Sequence, residues 1–442
     1  MSEKKHYSHE KNVYEAANER IDYIFNHFEN IYVSFSGGKD SGVVLNLVID
    51  YMRCNKITKK IGVLFIDLEA FYKGTIDFIE EMILNNLDLI EPYWVCLPML
   101  TTNAVSMYEP FWIFWEESKR NKWVRPMPPY NFVIHSGNNP FDFYKQDMTF
   151  EEFIAQFGDW YARSHGNKNT ACLVGIRTDE SLNRFRAIAR DDKGSYNGKI
   201  YSTIVSDKAV NFYPIYDWHV NDIWTYNGKF HKPYNRIYDL FYKAGVPLHK
   251  MRICEPYGDE QKAGLNMFKV IEPETWFKVV DRVSGANFGN IYAGSKATGA
   301  KHIQLPAGHT WKSFCKFLLK TLPKETRVIY VTKFVKFLRY WHQVGSPIAD
   351  EDITLLTDLA PNSFINTHKA GNRGKGDKDV IRATSIPDEL PGLDNKSDFY
   401  TWKRLCMAIL KNDITCQSLS FSITKRQVLR QNELLKKYSE IL

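Results

Sequence analysis

The stretch at residues 32–52, YVSFSGGKDSGVVLNLVIDYM, places two glycines, hydroxyls, a lysine and an aspartate between two apolar segments. The apolar residues before Ser36 predict a short buried strand, and the apolar spacing after Ser41 predicts a helix. A glycine-rich turn between a strand and a helix directs free backbone N–H groups and the positive end of the helix dipole at one point. The sequence therefore predicts an anion site at residues 36–41, with phosphate as the expected ligand.

The side chains of this loop fit phosphate, with one exception. Ser36 and Ser41 can donate hydroxyl hydrogen bonds, and Lys39 adds positive charge. Asp40 would repel phosphate, unless Mg²⁺ bridges the two or Asp40 caps the helix and orients the loop. The spacing matches neither a Walker loop nor a dinucleotide fingerprint. The alternative is an ordinary helix N-terminus with spare glycines.

Apolar strands and amphipathic helices alternate along the first part of the chain, which predicts a parallel sheet flanked by helices. The Trp- and Pro-rich residues 108–160 are predicted to be an insertion that covers one end of the sheet. The segment AVNFYPIYDW at 209–218 is predicted to be an edge strand. Beyond about residue 276 the pattern is mostly helical, with a Gly- and Lys-rich loop at 366–379. We expect a nucleotide-binding domain at 1–270 and a helical domain at 271–442.

Composition restricts the cellular setting. The 442 residues include 58 Lys and Arg against 51 Asp and Glu, a net charge of +7 that permits an anionic partner without requiring nucleic acid. The seven cysteines are scattered and form no C-x-x-C pair, which predicts a reducing compartment. The first residues lack the apolar core of a signal peptide, and no apolar run approaches the ~18 residues that a membrane span needs. We expect a cytoplasmic protein without a membrane anchor.

Several stretches together resemble a known family. SFSGGKDS at 34–41 resembles the pyrophosphate loop of the N-type ATP pyrophosphatases, the adenine nucleotide alpha-hydrolase superfamily. With Lys before Asp, it is similar to the loops of phosphoadenosine phosphosulfate (PAPS) reductase relatives. VGIRTDESLNRFR at 174–186, YPIYDWHVNDIWTY at 213–226 and KPYNRIYDLFYKAGVP at 232–247 also resemble segments of that family.

The resemblance implies roles for particular residues. Asp67 would lie near the ribose or the adenine, and Arg177, with Arg184 or Arg186, would meet anionic groups of the ligand, which suits the forked guanidinium. The implied ligand is ATP or a PAPS-like adenine nucleotide with Mg²⁺, and Asp40 is the candidate metal ligand. Lys39 and Asp40 are the candidate catalytic residues. The residues implied to hold the phosphates are Ser36, Gly37, Gly38, Lys39, Asp40 and Ser41.

The C-terminal part resembles a reductase-related family whose helical tail has no assigned function. Within it, the chain is similar to the immunoglobulin-binding regulator A type, a prophage-associated co-activator paired with a ParB/sulfiredoxin-like protein. The resemblance therefore implies two functions of different classes. One is cleavage of ATP between the α- and β-phosphates, by adenylylation or with release of AMP and pyrophosphate. The other is nucleotide sensing without turnover, as a transcriptional co-activator with such a partner.

Reduction of a sulfonucleotide is a third hypothesis. The chain lacks the C-terminal Cys motif of the reductases, and Cys254 is the nearest candidate nucleophile, with simple packing as its alternative. Near it, Glu255, Asp259 and Glu260 form an acidic group that could hold Mg²⁺ or lie in a solvated loop. The spacing of His302, His309 and Cys315 is too loose to predict zinc.

A basic, aromatic-rich stretch at residues 311–341 carries eight Lys and Arg against the single acid Glu325. It could bind nucleic acid or an acidic protein, or form a helical pair with a solvated basic side.

Overall fold

The computed structural model describes residues 11–106, 108–180, 184–185, 188, 194–253, 265–286, 305–348, 350–370, 379–393, 399–411, 413–414, 416 and 419. The helices in these ranges are α1 Val13–His27, α2 Lys39–Cys54, α3 Lys73–Leu84, α4 Phe150–Ser164, α5 Val220–Lys229, α6 Ile237–Lys243, α7 Leu265–Ile271, α8 Pro273–Arg282, α9 Trp311–Thr321, α10 Lys324–Gln343, α11 Asp350–Leu359 and α12 Trp402–Leu410.

The strands of the same ranges are β1 Asn30–Ser34, β2 Ile61–Ile66, β3 Ile90–Val95, β4 Met99–Thr102, β5 Phe111–Phe114, β6 Val133–Ile134, β7 Thr170–Val174, β8 Ser202–Ile204, β9 Ala209–Phe212, β10 Ser346–Pro347, β11 Phe364–Ala370 and β12 Asp379–Ala383. Seven of these described strands form one sheet in the order β6-β3-β2-β1-β7-β9-β8. Every neighbouring pair in it is parallel except β8 and β9.

The strand order reverses beside the glycine-rich loop. From β1 the chain builds the sheet through β2 and β3 on one side, whereas β7 pairs with the other side of β1. In open parallel sheets, ligands bind outside the carboxyl ends of the strands at such a reversal of order. The loop after β1 and the residues after β7 meet at this point.

The predicted α/β fold, a parallel sheet with flanking helices and a helix-rich C-terminal region, is confirmed, with two local corrections. The segment predicted to be an edge strand forms β9, which lies between β7 and β8, so the short β8 is the edge. The predicted insertion at 108–160 contributes β6, the opposite edge of the sheet, and the helix α4. Strands of two or three residues carry too little apolar pattern to be predicted from sequence.

The described residues pack into two apolar cores. The first joins the large sheet to its helices and includes residues from Ala17 to Ala286, so it extends past the domain boundary predicted at residue 270. The second runs from Trp311 to Leu419, and Phe111 of β5 packs against it. No helix among the described residues is both long and apolar enough to cross a membrane.

The second core contains a small antiparallel sheet, β10-β12-β11, that the sequence pattern did not indicate. Part of the predicted Gly- and Lys-rich loop, residues 366–370, lies in β11, and residues 371–378 lie outside the described ranges.

Candidate nucleotide-binding site

The loop between β1 and α2 is a tight turn held by its own serines. Ser41 Oγ donates to the Gly38 carbonyl at 3.2 Å, so the Ser36 hydroxyl donates to Ser41 Oγ at 3.0 Å. Gly37 has φ +71°, in the left-handed region that glycine adopts without strain, and a Cβ there would lie 2.7 Å from a methyl of Ile79. Both observations account for glycine at position 37.

The N-terminus of α2 has no side-chain cap. Gly38 is the N-cap residue and has no side chain with which to bind the amides of the first turn. The Lys39 amide donates to the Tyr238 hydroxyl at 3.1 Å. The positive end of the α2 dipole therefore lies at the carboxyl edge of the sheet, at the loop where the sequence predicts an anion site.

Two residues from α6 and its N-terminal flank fix the loop from outside. Asn235 Nδ2 donates to the Gly37 carbonyl at 3.1 Å and to Thr75 Oγ1 at 2.9 Å. Tyr238 accepts from the loop as described above. Both residues belong to the family-like segment 232–247, but the sequence analysis assigned them no role, because nothing local shows a contact across about 200 positions.

Lys39, Asp40 and Arg177 form one buried ionic cluster, with exposed fractions of 5%, 7% and 3%. Arg177 Nε lies 2.5 Å from Asp40 Oδ1, and Lys39 Nζ lies 3.1 Å from Asp40 Oδ2. Burial raises the pKa of Asp40, but the charges of Lys39 and Arg177 outweigh burial and hold that pKa below its usual value. Asp40 is therefore an ionised carboxylate between two cations.

Lys39 also contacts the segment after α6. Its Nζ donates to the Met251 carbonyl at 3.2 Å and lies 5.6 Å from the centre of the Tyr238 ring. An entering phosphate would therefore compete with Asp40 and Met251 for the ammonium group.

Gly175, directly after β7, brings that strand against the loop helix. A Cβ on Gly175 would lie 2.7 Å from the Ser41 amide nitrogen and 2.8 Å from the Asp40 carbonyl carbon. Both are backbone atoms, so a larger residue would displace the first turn of α2. The sequence contained this glycine in a family-like segment, but its close approach to α2 is a property of the fold.

Arg184 lies beside the cluster rather than within it. Its Nη1 pairs with Glu180 Oε2 at 2.7 Å, and Arg252 donates to the Glu180 backbone carbonyl at 2.8 Å. Burial raises the pKa of Glu180, and Arg184 opposes that rise. Arg186 lies outside the described residues.

Asp67 follows β2 at the same edge of the sheet as the loop, but its side chain is fully buried. The carboxylate accepts from Trp94 Nε1 at 2.8 Å and from the Glu69 amide at 2.9 Å, and it pairs with Arg125. These internal donors already satisfy the carboxylate. Its predicted contact with ribose or adenine stays a prediction.

The cluster is a poor match for a resident Mg²⁺. Magnesium takes oxygen ligands from carboxylates and keeps several waters, whereas both oxygens of Asp40 face cationic side chains. Within the described residues, no group of three or more His, Cys, Asp and Glu side chains could hold a metal ion. The Mg²⁺ role of Asp40 stays a prediction that this geometry does not favour.

The remaining candidates are separate from the loop or outside the described ranges. His309 Nδ1 contacts Ser313 Oγ at 3.0 Å, and Cys315 is buried in the second core. Five of these remaining candidates lie outside the described ranges: Cys254, Glu255, Asp259, Glu260 and His302.

Comparison with known proteins shows which domain families match the chain. Residues 30–244 match the phosphoadenosine phosphosulfate reductase domain, and residues 245–430 match a domain of unknown function, DUF3440. The chain therefore contains a PAPS reductase-like domain followed by a DUF3440 domain. It is 36% identical over 431 residues to the uncharacterized protein YbdN of Escherichia coli strain K12, over 96% of this chain and 94% of YbdN. The chain belongs to the same family as YbdN.

Two solved structures are each similar to about half of the chain. PAPS reductase from Candida auris, crystallised with phosphate, is 15% identical and covers 51% of this chain and 84% of its own, with a TM-score of 0.28. FMN adenylyltransferase from Candida glabrata, in complex with FMN and the ATP analogue AMPCPP, is 16% identical and covers 51% of this chain and 59% of its own, with a TM-score of 0.31.

Proposed function

We propose that this protein binds an adenine nucleotide at the loop of residues 36–41 and cleaves ATP between the α- and β-phosphates. The observation that carries the proposal is the N-terminus of α2, which follows Gly37 and Gly38, has no side chain at its N-cap residue, and lies beside the cations of Lys39 and Arg177. Backbone amides, a helix dipole and two cations at one point favour a polyphosphate. The match to the PAPS reductase domain over residues 30–244 supports the choice of an adenine nucleotide.

The chemistry would depend on position and charge. Cleavage at the α-phosphate releases pyrophosphate, whose negative charge increases as the bond breaks, and the loop amides with Lys39 would stabilise that charge. Asp40 holds Lys39 and Arg177 in place until phosphate oxygens replace its carboxylate as their partner. Water, to give AMP, or an acceptor oxygen, to give an adenylylated product, would attack the α-phosphorus as its bond to the leaving pyrophosphate breaks, so no covalent protein nucleophile is required.

The test is to incubate the purified protein with MgATP labelled at the α-phosphate and to separate the products by chromatography. We expect AMP or an adenylylated product, with at least about 100-fold less from Asp40→Ala, because the two cations lose their orientation. The matched control is Asp142→Ala, which removes an exposed carboxylate paired with Arg163. Equal loss in the control, or failure of the protein to bind ATP by calorimetry, would contradict the proposal.

A second candidate function is nucleotide sensing without turnover. It is favoured by the pairing of Lys39 with Asp40 and by the Met251 contact, which links the loop to the first residues of the second matched domain. ATP that binds and stays intact, with unaltered binding in Asp40→Asn, would support the sensor over the enzyme.

A further inference from the structure

Helix α10 has apolar residues on two opposite faces. One face is buried in the second core and consists of Thr326, Tyr330, Phe334, Phe337 and Trp341. The opposite face carries Val328, Val331 and Val335, which are 57%, 41% and 45% exposed. We call these three residues the valine stripe. A helix that needs only to cover a core has one apolar stripe, so the second stripe requires another explanation.

The spacing of the valine stripe is that of a helix–helix contact. Its members are three and four residues apart along α10. This is the a/d pattern of a coiled-coil seam, in which β-branched residues at a positions favour packing against one further helix. The stripe therefore fits a helical partner better than a flat or extended one.

The charges near the valine stripe indicate which charge a helical partner should carry. Lys324, Lys336 and Arg339 are exposed on α10, and within the described part of the chain none of them forms a salt bridge. The preceding helix α9 adds the exposed Lys316 and Lys320, again without an acidic partner among the described residues. Glu325 is the single acid of α10. Cations beside an apolar seam favour a partner with acidic flanks.

The same charges argue against other occupants. A second copy of this chain would bring Lys324, Lys336 and Arg339 against their own equivalents, and like charges across an interface are unfavourable. Nucleic acid would match the cations but would place phosphates over an aliphatic stripe, whereas single strands stack on aromatic side chains. We propose that the valine stripe and the cations around it are a docking surface for an acidic amphipathic helix of another protein.

The test measures binding of a designed probe to the full-length protein by fluorescence anisotropy. The probe is a labelled helical peptide of about 20 residues with leucines at the seam positions and glutamates beside them. A second peptide keeps the leucines and replaces each glutamate with lysine. We expect the acidic peptide to bind at least about tenfold more tightly than the basic one, and its affinity to fall as salt rises.

Two surface variants separate the apolar and ionic contributions. Val331→Ser with Val335→Ser, and Lys336→Glu with Arg339→Glu, should each weaken binding of the acidic peptide at least about tenfold. All four positions are outside the buried face, so the fold should persist, and circular dichroism checks that it does. Matched controls are Val344→Ser, an exposed valine off the stripe, and Lys269→Glu on α7, neither of which should alter affinity.

Every other outcome overturns the proposal. No binding of the acidic peptide, or equal binding of both peptides, would remove the charge argument. Tighter binding of labelled single-stranded DNA that only the charge variant weakens would assign the face to nucleic acid. A dimer in sedimentation that Val331→Ser with Val335→Ser converts to a monomer would assign it to a second copy.

Discussion

At the scale of single residues, the candidate site depends on close backbone approach as much as on charge. Gly175 allows the end of β7 to touch the first turn of α2, where the Ser41 amide and the Asp40 carbonyl carbon leave no room for a Cβ. Arg177, two residues later, reaches Asp40 from the same side. The position of the guanidinium thus follows from the missing side chain at 175.

We predict that Gly175→Ala weakens ATP binding at least about tenfold while the protein stays folded, because the first turn of α2 must move away from β7. The measurement is isothermal titration calorimetry with MgATP, beside chemical denaturation. The matched control is Gly228→Ala in α5, where a Cβ meets no atom within 4 Å. There we expect unchanged affinity and a gain of roughly 0.5–1 kcal/mol, since alanine favours the helix. Unchanged affinity in Gly175→Ala would mean that this contact does not position the site.

The sequence analysis named the ionic members of the candidate site, which the structure brings together in one cluster, but not the neutral ones. Lys39 and Asp40 lie inside a motif with a strong local pattern. Arg177 follows β7, which is parallel to β1 and therefore ends at the same edge of the sheet. Asn235 and Tyr238 were not assigned a role, because their partners lie 198 and 199 positions away. A neutral side chain that bonds a distant backbone leaves no pattern in its own segment.

At the scale of elements, a buried ion pair connects the end of β2 to α8. Glu69 is fully buried, and its oxygens accept from Arg282 at 2.9 and 3.2 Å and from the amides of Trp115 and Val124. Arg282 also donates to the Ile113 carbonyl in β5 at 2.6 Å. The pair therefore ties the residues after β2, the predicted insertion and α8 into one unit. The apolar patterns predicted the elements, but not this polar connection between them.

We predict that Arg282→Met lowers the free energy of unfolding by about 3–5 kcal/mol near neutral pH, because Glu69 is left buried and ionised. Burial already raises the pKa of Glu69, with Arg282 opposing the rise, and removing the cation raises it further. In the unfolded chain Glu69 keeps its ordinary pKa. The loss of unfolding free energy is therefore largest at pH values above the pKa of Glu69 in the folded variant, and it decreases as the pH falls below that pKa.

Urea denaturation of Arg282→Met and the unaltered protein at pH 8 and pH 5 measures that change. The control is Lys122→Met, which breaks an exposed pair with Asp281 at 3.4 Å and should cost less than about 1 kcal/mol at both pH values. If the loss of unfolding free energy in Arg282→Met is as large at pH 5 as at pH 8, the loss would come mainly from lost packing rather than from the unpaired carboxylate of Glu69.

At the scale of the whole molecule, the two apolar cores divide the chain between Ala286 and Trp311. The sequence pattern also changes along the chain, from alternating strands and helices in the first part to mostly helices beyond about residue 276. The sequence could not show at which residue the first core ends. The patterns of α7 and α8 are helical, like those of the later helices, but α7 and α8 pack on the first core. Phe111 of β5 packs against the second core from the first part of the chain.

We predict that the two cores lose stability separately. Phe337→Ala removes a buried ring that packs 5.4 Å from Tyr400, and should destabilise the second core by about 3–5 kcal/mol. Hydrogen exchange should then accelerate in α9 and α10 but not in β1, β2 and β7, and ATP affinity should stay within about twofold, because no described loop residue contacts the second core. Leu47→Ala in α2, where Leu47 is fully buried in the first core, should give the reverse pattern.

If either substitution accelerates exchange in both cores equally, the contact through Phe111 is strong enough to make them one cooperative unit. A ligand bound at the loop would then also stabilise α10, the helix that carries the valine stripe, because a ligand of the native state stabilises every part that unfolds in the same cooperative unit.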